Sequence, residues 1–421
     1  MKLNNLGRAA IGTILSAAAI FGLTACSRDY TVAYLYSTSA KGDASGNGAI
    51  NAYRIDYQSG IPIQLEDSPV AAQRNPVSIV ATSDNKNLYV VNNGSSSIGW
   101  YAIGSDGKIY IQQTYNAFQA VGSLPTWAAI DNTGKFLFVT FTYQPGYTTS
   151  IPGPGALGVF PINADGSLGS PVRNGSLSYF PVGNTPVSVV TSPLPVASPL
   201  STYVYVLDQE PSHGVVLGFA ENASTGVLTA TSGTTITTVN ATTVATGYAA
   251  GTTPSAMVED LASKYVYVTD QAANQVLGYQ VSQTGTTSGA LTPIVSSPYG
   301  TGLFPVAIAI EPRNQFMYVA NKSAGTVNVY AFASNGALTG SAGGTSQLVG
   351  TGPTCIAIEG SLGKYLYTTD SLQNMISGEQ INANTGALTS IENTPFPASG
   401  LPTCAVAVSS GAAHATQYVP H

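Results

Sequence analysis

Apolar residues in this chain come in runs of strand length, separated by short clusters of Gly, Asn, Asp and Ser. From Pro76 the sequence reads PVSIVATSDNKNLYVVNN: an alternating apolar run, a polar turn and a second run richer in aromatic residues. That pattern predicts a β-hairpin. The same unit opens at Pro125 (PTWAAIDNTGKFLFVTF), Pro254 (PSAMVEDLASKYVYVTD), Pro305 (PVAIAIEPRNQFMYVAN) and Pro353 (PTCIAIEGSLGKYLYTTD). At Pro186 it begins PVSVV and reaches YVYVLD after an insertion, and at Pro402 only the first run, PTCAVAV, is present. A third apolar run follows each complete hairpin and ends in a Gly-x-Leu/Ile turn, as in ALGVFPINADGSL and TVNVYAFASNGAL. The Asn/Asp/Ser/Thr-Gly pairs there supply the positive φ angles of a tight connection. A weaker fourth strand is predicted before the next proline.

The prolines lie 49, 61, 68, 51, 48 and 49 residues apart. A period of this size signals a propeller or an array of repeats. The two long steps hold YQPGYTTSIPGPG, SPLPVASPL and a Thr-rich tract from Thr229 to Thr246, which read as loop insertions. The unit at Pro402 lacks its second and third runs, whereas TVAYLYSTSA and GAINAYRIDYQSGIPI near the start are a second and third run without a first. The two ends therefore complete one blade. This predicts an all-β fold, a seven-bladed β-propeller of four-stranded antiparallel blades whose ring is closed by the N- and C-terminal strands.

Composition agrees with strands and turns. Only 8% of the 421 residues are charged and 44% are hydrophobic, with 45 Gly, 25 Pro and 24 Tyr, too apolar for disorder and too rich in turn residues for a helical protein. A net charge of −6 with no Lys/Arg cluster excludes an electrostatic footprint for nucleic acid. At the N-terminus, Lys2 and Arg8 precede an apolar stretch from Ala9 to Phe21 and then Leu23-Thr24-Ala25-Cys26. That is the pattern of an export signal, too short for a membrane span. The expected organisation is a signal over 1–25, a tether over 26–31, the propeller over 32–410 and a tail over 411–421.

Two resemblances add to this. Leu-Thr-Ala-Cys resembles a bacterial lipobox, which implies that Cys26 becomes the lipidated first residue and holds a monomer on the membrane. Ser27 implies the outer membrane, facing the periplasm or the surface; an ordinary secretory signal with a coincidental cysteine is the alternative. Tyr267-Val268-Thr269-Asp270 and Tyr318-Val319-Ala320-Asn321, with the trailing Asn-Gly-Ala-Leu turns, resemble the YVTN-type repeat, so that the mature chain resembles the lactonase-type seven-bladed propellers, which include 6-phosphogluconolactonase. The resemblance implies lactone hydrolysis. Enzymes of that family carry His and Arg at the starts of inner strands, where this chain has Pro254-Ser255, Pro186-Val187, Pro305-Val306 and Pro353-Thr354.

Hydrolysis needs a base near water and a donor for the oxyanion. His213, Asp208 and Glu210 lie in one stretch and are the candidates for the base, with Arg74 the candidate cation. His414, His421, Arg54, Arg173 and Arg313 complete the mature chain's stock of His and Arg beyond residue 30. Asp270, Asn321, Lys322, Asp370 and Asn92 recur after second strands, on the face where loops preceding the inner strands also lie. They are candidate ligand-binding residues, although Asn and Asp at strand ends also close turns through their side chains. Asp131, Glu259, Asp260, Glu311 and Glu359 end first strands and read as solvated turn acids on the opposite face. Lys41 to Gly48 (KGDASGNG) lacks the distal Glu of a calcium loop and reads as a plain turn. No metal or cofactor is expected. Cys355 and Cys404 share one repeat position, so a disulfide between the last two units is open, subject to Cα atoms within about 7 Å. Two functions remain: a lactonase at the channel mouth, or a non-catalytic propeller holding a glycan, peptide or envelope protein.

Overall fold

The computed structural model describes residues 30–116, 118, 120–195, 202–210, 213–239, 242–340 and 346–410. Seven sheets lie in chain order, each built on an inner strand that opens at or near a repeat proline. Blade 1 is composite: Gly400–Ser409 pairs with Thr31–Lys41, which pairs with Ala49–Asp56 and then Pro62–Gln64. In the closing register Tyr34 faces Val408, Tyr36 faces Val406 and Thr38 faces Cys404. The ends of the propeller thus share one sheet, as the truncated final repeat predicts.

Blade 2 starts at Pro76–Ala81, blade 3 at Ser123–Ile130, blade 4 at Pro186–Thr191, blade 5 at Pro254–Glu259, blade 6 at Pro305–Ile310 and blade 7 at Pro353–Ile358. The predicted weak fourth strand is only two or three residues long in six blades, and runs for seven, Ile109–Tyr115, in blade 2. The Thr-rich tract differs from expectation. Beyond a short outer strand it forms a regular hairpin, Thr235–Val239 with Thr242–Thr246, because β-branched threonines favour extended backbone wherever a partner strand is at hand.

The second-strand tyrosines explain the aromatic character of that run. Tyr36, Tyr89, Tyr205, Tyr267, Tyr318 and Tyr367 occupy equivalent positions and are fully buried. Each donates its hydroxyl to the carbonyl of a turn glycine in the next blade: Gly107, Gly166, Gly289, Gly336, Gly386 and Gly60, at 2.6–3.0 Å. These glycines sit in the turns between third and fourth strands at positive φ. A Cβ at Gly336 would overlap the Tyr265 ring. A buried tyrosine ring supplies apolar area and its hydroxyl needs an acceptor; here the neighbouring blade provides it.

A second latch joins the outer part of most seams. Third-strand Tyr53, Tyr101, Tyr279 and Tyr330 donate to Pro397, Ala71, Ala249 and Gly300 of the preceding blade. Blade 3 departs from both patterns, with Phe138 and Phe160 at the two positions. Blade 4 has Phe219 at the outer position and blade 7 has Glu379. The seam between blades 3 and 4 consequently lacks both tyrosine latches. It is filled instead by Phe136, Phe138, Phe180, Phe219 and a set of Val and Leu side chains.

Near the axis, hydroxyls at the residue after the proline link inner strands. Thr126, Ser255, Thr354 and Thr403 donate to the proline carbonyls of the next blade, Pro186, Pro305, Pro402 and Pro76, at 2.7–3.1 Å.

Candidate functional site

The residue paired across from each inner-strand proline marks one ring position, occupied by Ser39, Asn92, Phe141, Asp208, Asp270, Asn321 and Asp370. All seven are buried. Four of the five candidate ligand-binding residues and one candidate catalytic acid are therefore the same structural element repeated. Asp270 accepts the amides of Thr252, Thr253 and Ala272 at 3.0–3.2 Å. Asp370 accepts the hydroxyls of Thr368 and Ser377 at 3.0 and 2.6 Å. Asn321 donates to Asn328 Oδ1 at 2.7 Å, and Asn92 donates to the Val90 carbonyl at 3.3 Å. Lys322, which follows this position in blade 6, is half-buried.

A sequence signal accompanies this ring, a glycine at a fixed distance before the inner-strand proline. Gly122, Gly183, Gly251, Gly302 and Gly350 each lie three residues before the proline, and a Cβ at any of them would run into the ring residue or its immediate neighbour. The Gly-x-x-Pro spacing lets the incoming loop press its backbone onto the acid or amide.

Blade 4 carries the one place where candidate catalytic groups meet. Its second strand, Thr202–Glu210, pairs with His213–Glu221, so that Glu210 faces His213 across the hairpin end. Asp208 Oδ1 accepts the Thr185 amide at 3.0 Å, while its Oδ2 has no hydrogen-bond partner. Burial pushes its carboxyl up to about 7, and the nearby Glu210 adds to the effect. Glu210 accepts the Asn184 amide at 3.2 Å and the Asn184 side chain. His213 is exposed. Arg74 is exposed on the connection from blade 1 into blade 2, with blade 3 intervening between it and blade 4. The structure thus gathers Asp208, Glu210 and His213 and leaves the candidate cation apart.

The inner strands offer little acid–base chemistry. Glu259 is their only charged residue. It is buried and accepts the Ser192 hydroxyl at 3.3 Å. On the face of the candidate site a cleft of about 510 Å³ opens between blades 2 and 3, lined by Ser96, Asn116, Phe118, Ser123, Gln144, Tyr147 and Thr148 among others, none of them charged. A larger cleft of about 710 Å³ lies on the opposite face at blades 5 to 7, with Lys264, Tyr265, Asn314, Phe316 and Phe332 in its wall. Among the described residues no group of three or more His, Cys, Asp or Glu is placed to hold a metal ion.

The acids ending first strands correct the expectation of solvation. Asp131, Glu259, Asp260, Glu311 and Glu359 are at most 4% exposed. Asp131 Oδ1 accepts the Lys135 and Phe136 amides, Asp260 Oδ1 those of Lys264 and Tyr265, and Glu311 Oε1 those of Gln315 and Phe316, at 2.6–3.2 Å. The carboxylate folds under the hairpin and satisfies the amides that start the second strand, which replaces water. Glu311 also pairs with Arg313 at 2.8 Å. The KGDASGNG stretch is a turn, with Asp43 accepting the Ser45 and Asn47 amides. Cys26, His414 and His421 lie outside the described residues, as do the signal and the tail beyond Ser410.

The model of the lactonase family, seven-bladed β-propellers, matches residues 33–178 and 196–358. The chain belongs to the lactonase family. No curated protein matches it. Among solved structures, a candidate 6-phosphogluconolactonase from Bacteroides uniformis is similar at 19% identity over 90% of this chain and all of its own, with a TM-score of 0.67. The periplasmic gluconolactonase of Pseudomonas aeruginosa is similar at 18% identity over 91% of this chain and all of its own, with a TM-score of 0.66. At such identity the likeness is one of fold. Lactonase propellers therefore share the frame of this chain, and its own residues must argue the chemistry.

Proposed function

We propose that this chain is a binding member of the lactonase family, which holds a neutral, hydroxyl-rich ligand of the sugar or sugar-lactone class on its loop-bearing face without hydrolysing it. One observation carries the reading: the recurring acids and amides of that face are buried, and Asp270 and Asp370 have both carboxylate oxygens hydrogen-bonded to their own blades and loops. The inner strands, with Glu259 buried, offer no exposed base or cation. The cleft between blades 2 and 3 fits such a ligand, because Phe118 and Tyr147 give apolar faces and Asn116, Ser123 and Thr148 give neutral donors and acceptors. In this proposal lipid on Cys26 tethers the propeller to the cell envelope, where sugar acids, glycans and their lactones are met outside the cytosol.

A second reading, lactone hydrolysis, is favoured by family membership and by the Asp208 carboxyl at about 7 beside Glu210 and His213, since a base poised near neutrality suits proton transfer. The two are separated by following ring opening of gluconolactone, its 6-phosphate and simple γ-lactones in a pH-stat while measuring binding of the same sugars by calorimetry. Binding without turnover supports the first. Turnover that is lost in Asp208→Asn or His213→Ala establishes the second and overturns the first.

A further inference from the structure

Cys355 and Cys404 meet at the seam between blade 7 and the composite blade 1. Cys355 stands on the inner strand of blade 7 and Cys404 on the C-terminal strand that completes blade 1. They are 6% and 3% exposed and belong to one buried cluster with Tyr36, Ile50 and Val408. The Ala405 amide, next in the chain to Cys404, donates to Cys355 Sγ at 3.3 Å. Both thiols are free, and both donate to the same Ala405 carbonyl, Cys355 Sγ at 3.8 Å and Cys404 Sγ at 3.9 Å. The proximity of the two thiols favours the thiolate on Cys355 and disfavours it on Cys404, so that Cys355 is the sulfur that first attacks an oxidised disulfide and Cys404 then displaces the leaving thiol.

We propose that Cys355 and Cys404 are a modification site, joined by a disulfide that clasps the C-terminal strand to blade 7 when the chain folds under oxidising conditions. The geometry carries the inference: the same repeat position in consecutive inner strands places the two thiols side by side at the seam between blade 7 and the composite blade 1, against one shared carbonyl. In the reaction both thiols lose their protons, one sulfur–sulfur bond forms, and the two electrons pass to an oxidised disulfide such as oxidised glutathione, which leaves as two thiols. Because the pair is buried in the closed ring, the bond forms as the C-terminal strand docks. Once formed, it holds that strand against blade 7 independently of the sheet that pairs it with the N-terminus.

The experiment refolds the full chain in a buffer of reduced and oxidised glutathione, blocks remaining thiols under denaturing conditions and maps tryptic peptides. Cleavage after Lys322 and Lys364 places the two cysteines on separate peptides, 323–364 and 365–421. The expected result is one linked pair of these peptides, split by reductant. Blocked thiols on both, or a link from either to Cys26, overturns the proposal. As a second measurement, the oxidised protein is expected to melt about 5 °C above its reduced form, since a closed loop of this size constrains the unfolded chain. Cys355→Ser should show no such difference between oxidising and reducing buffer. A linked protein that melts no higher than the reduced one would overturn the clasp.

Discussion

Changing Tyr267 to Phe tests the seam latches directly, because it removes one oxygen and leaves the ring in place. Tyr267 is fully buried and donates to the Gly336 carbonyl at 2.6 Å. Its ring also packs against Phe332, with centroids 5.5 Å apart, and that contact survives the substitution. What is lost is a net hydrogen bond of about 1 kcal/mol, and the Gly336 carbonyl is left without its buried donor, an added cost that brings the total to roughly 1–3 kcal/mol. Urea denaturation followed by tyrosine and tryptophan fluorescence reads this as a lower midpoint at unchanged slope. Tyr110→Phe, at a hydroxyl on a side chain 51% exposed, serves as the control and should leave the midpoint in place. A Tyr267→Phe protein within 0.5 kcal/mol of the parent would refute the view that these hydroxyls bind blade to blade. The converse change, Phe138→Tyr, adds the missing latch opposite Gly226 and is expected to raise the midpoint by up to about 1 kcal/mol.

Burial also raises the carboxyls of Asp208 to about 7, Glu379 to about 7, Asp370 to about 6 and Glu221 to about 8. A carboxyl with a raised folded value binds its proton more tightly when folded, so its stabilisation is present at low pH and is lost as pH climbs from about 4 through these values; the melting temperature should fall between pH 5 and pH 8, and a flat or rising curve would contradict it. Asp208→Asn should flatten that slope and stabilise the protein at pH 8 by up to roughly 4 kcal/mol, a change that blades 2 and 6 already make with Asn92 and Asn321; equal pH slopes for mutant and parent would count against it. Gly336→Ala, which puts a methyl into the Tyr265 ring at a φ of 78°, should cost more than about 2 kcal/mol in the same urea experiment.

Much of this architecture was legible because each unit announces itself. The proline-led run, the polar turn and the aromatic run are local, and the displaced half-unit at the two ends required closure. The Tyr latches were not legible in the same way: the acceptor of Tyr89 lies 77 residues further on, and that of Tyr367 lies 307 residues back. The pattern shows that a tyrosine is buried and cannot show what its hydroxyl meets. Likewise Glu311 and Asp260 sit in turns, where sequence suggests water. Their burial depends on how the carboxylate curls beneath the hairpin and how the next blade covers it. For the candidate site, the spacing placed Asp208, Asp270, Asn321 and Asp370 at one level of the ring, but the loop pressing on them through Gly-x-x-Pro decides whether a ligand can reach them.

The phenylalanine-filled seam between blades 3 and 4 gives the ring a thermal asymmetry. Apolar attraction weakens on cooling whereas hydroxyl-to-carbonyl bonds do not depend on it. Chilled protein should therefore exchange amide hydrogens fastest along Phe136–Tyr143 and Thr202–Glu210, and a circle that is uniform when warm would have a preferred gap when cold.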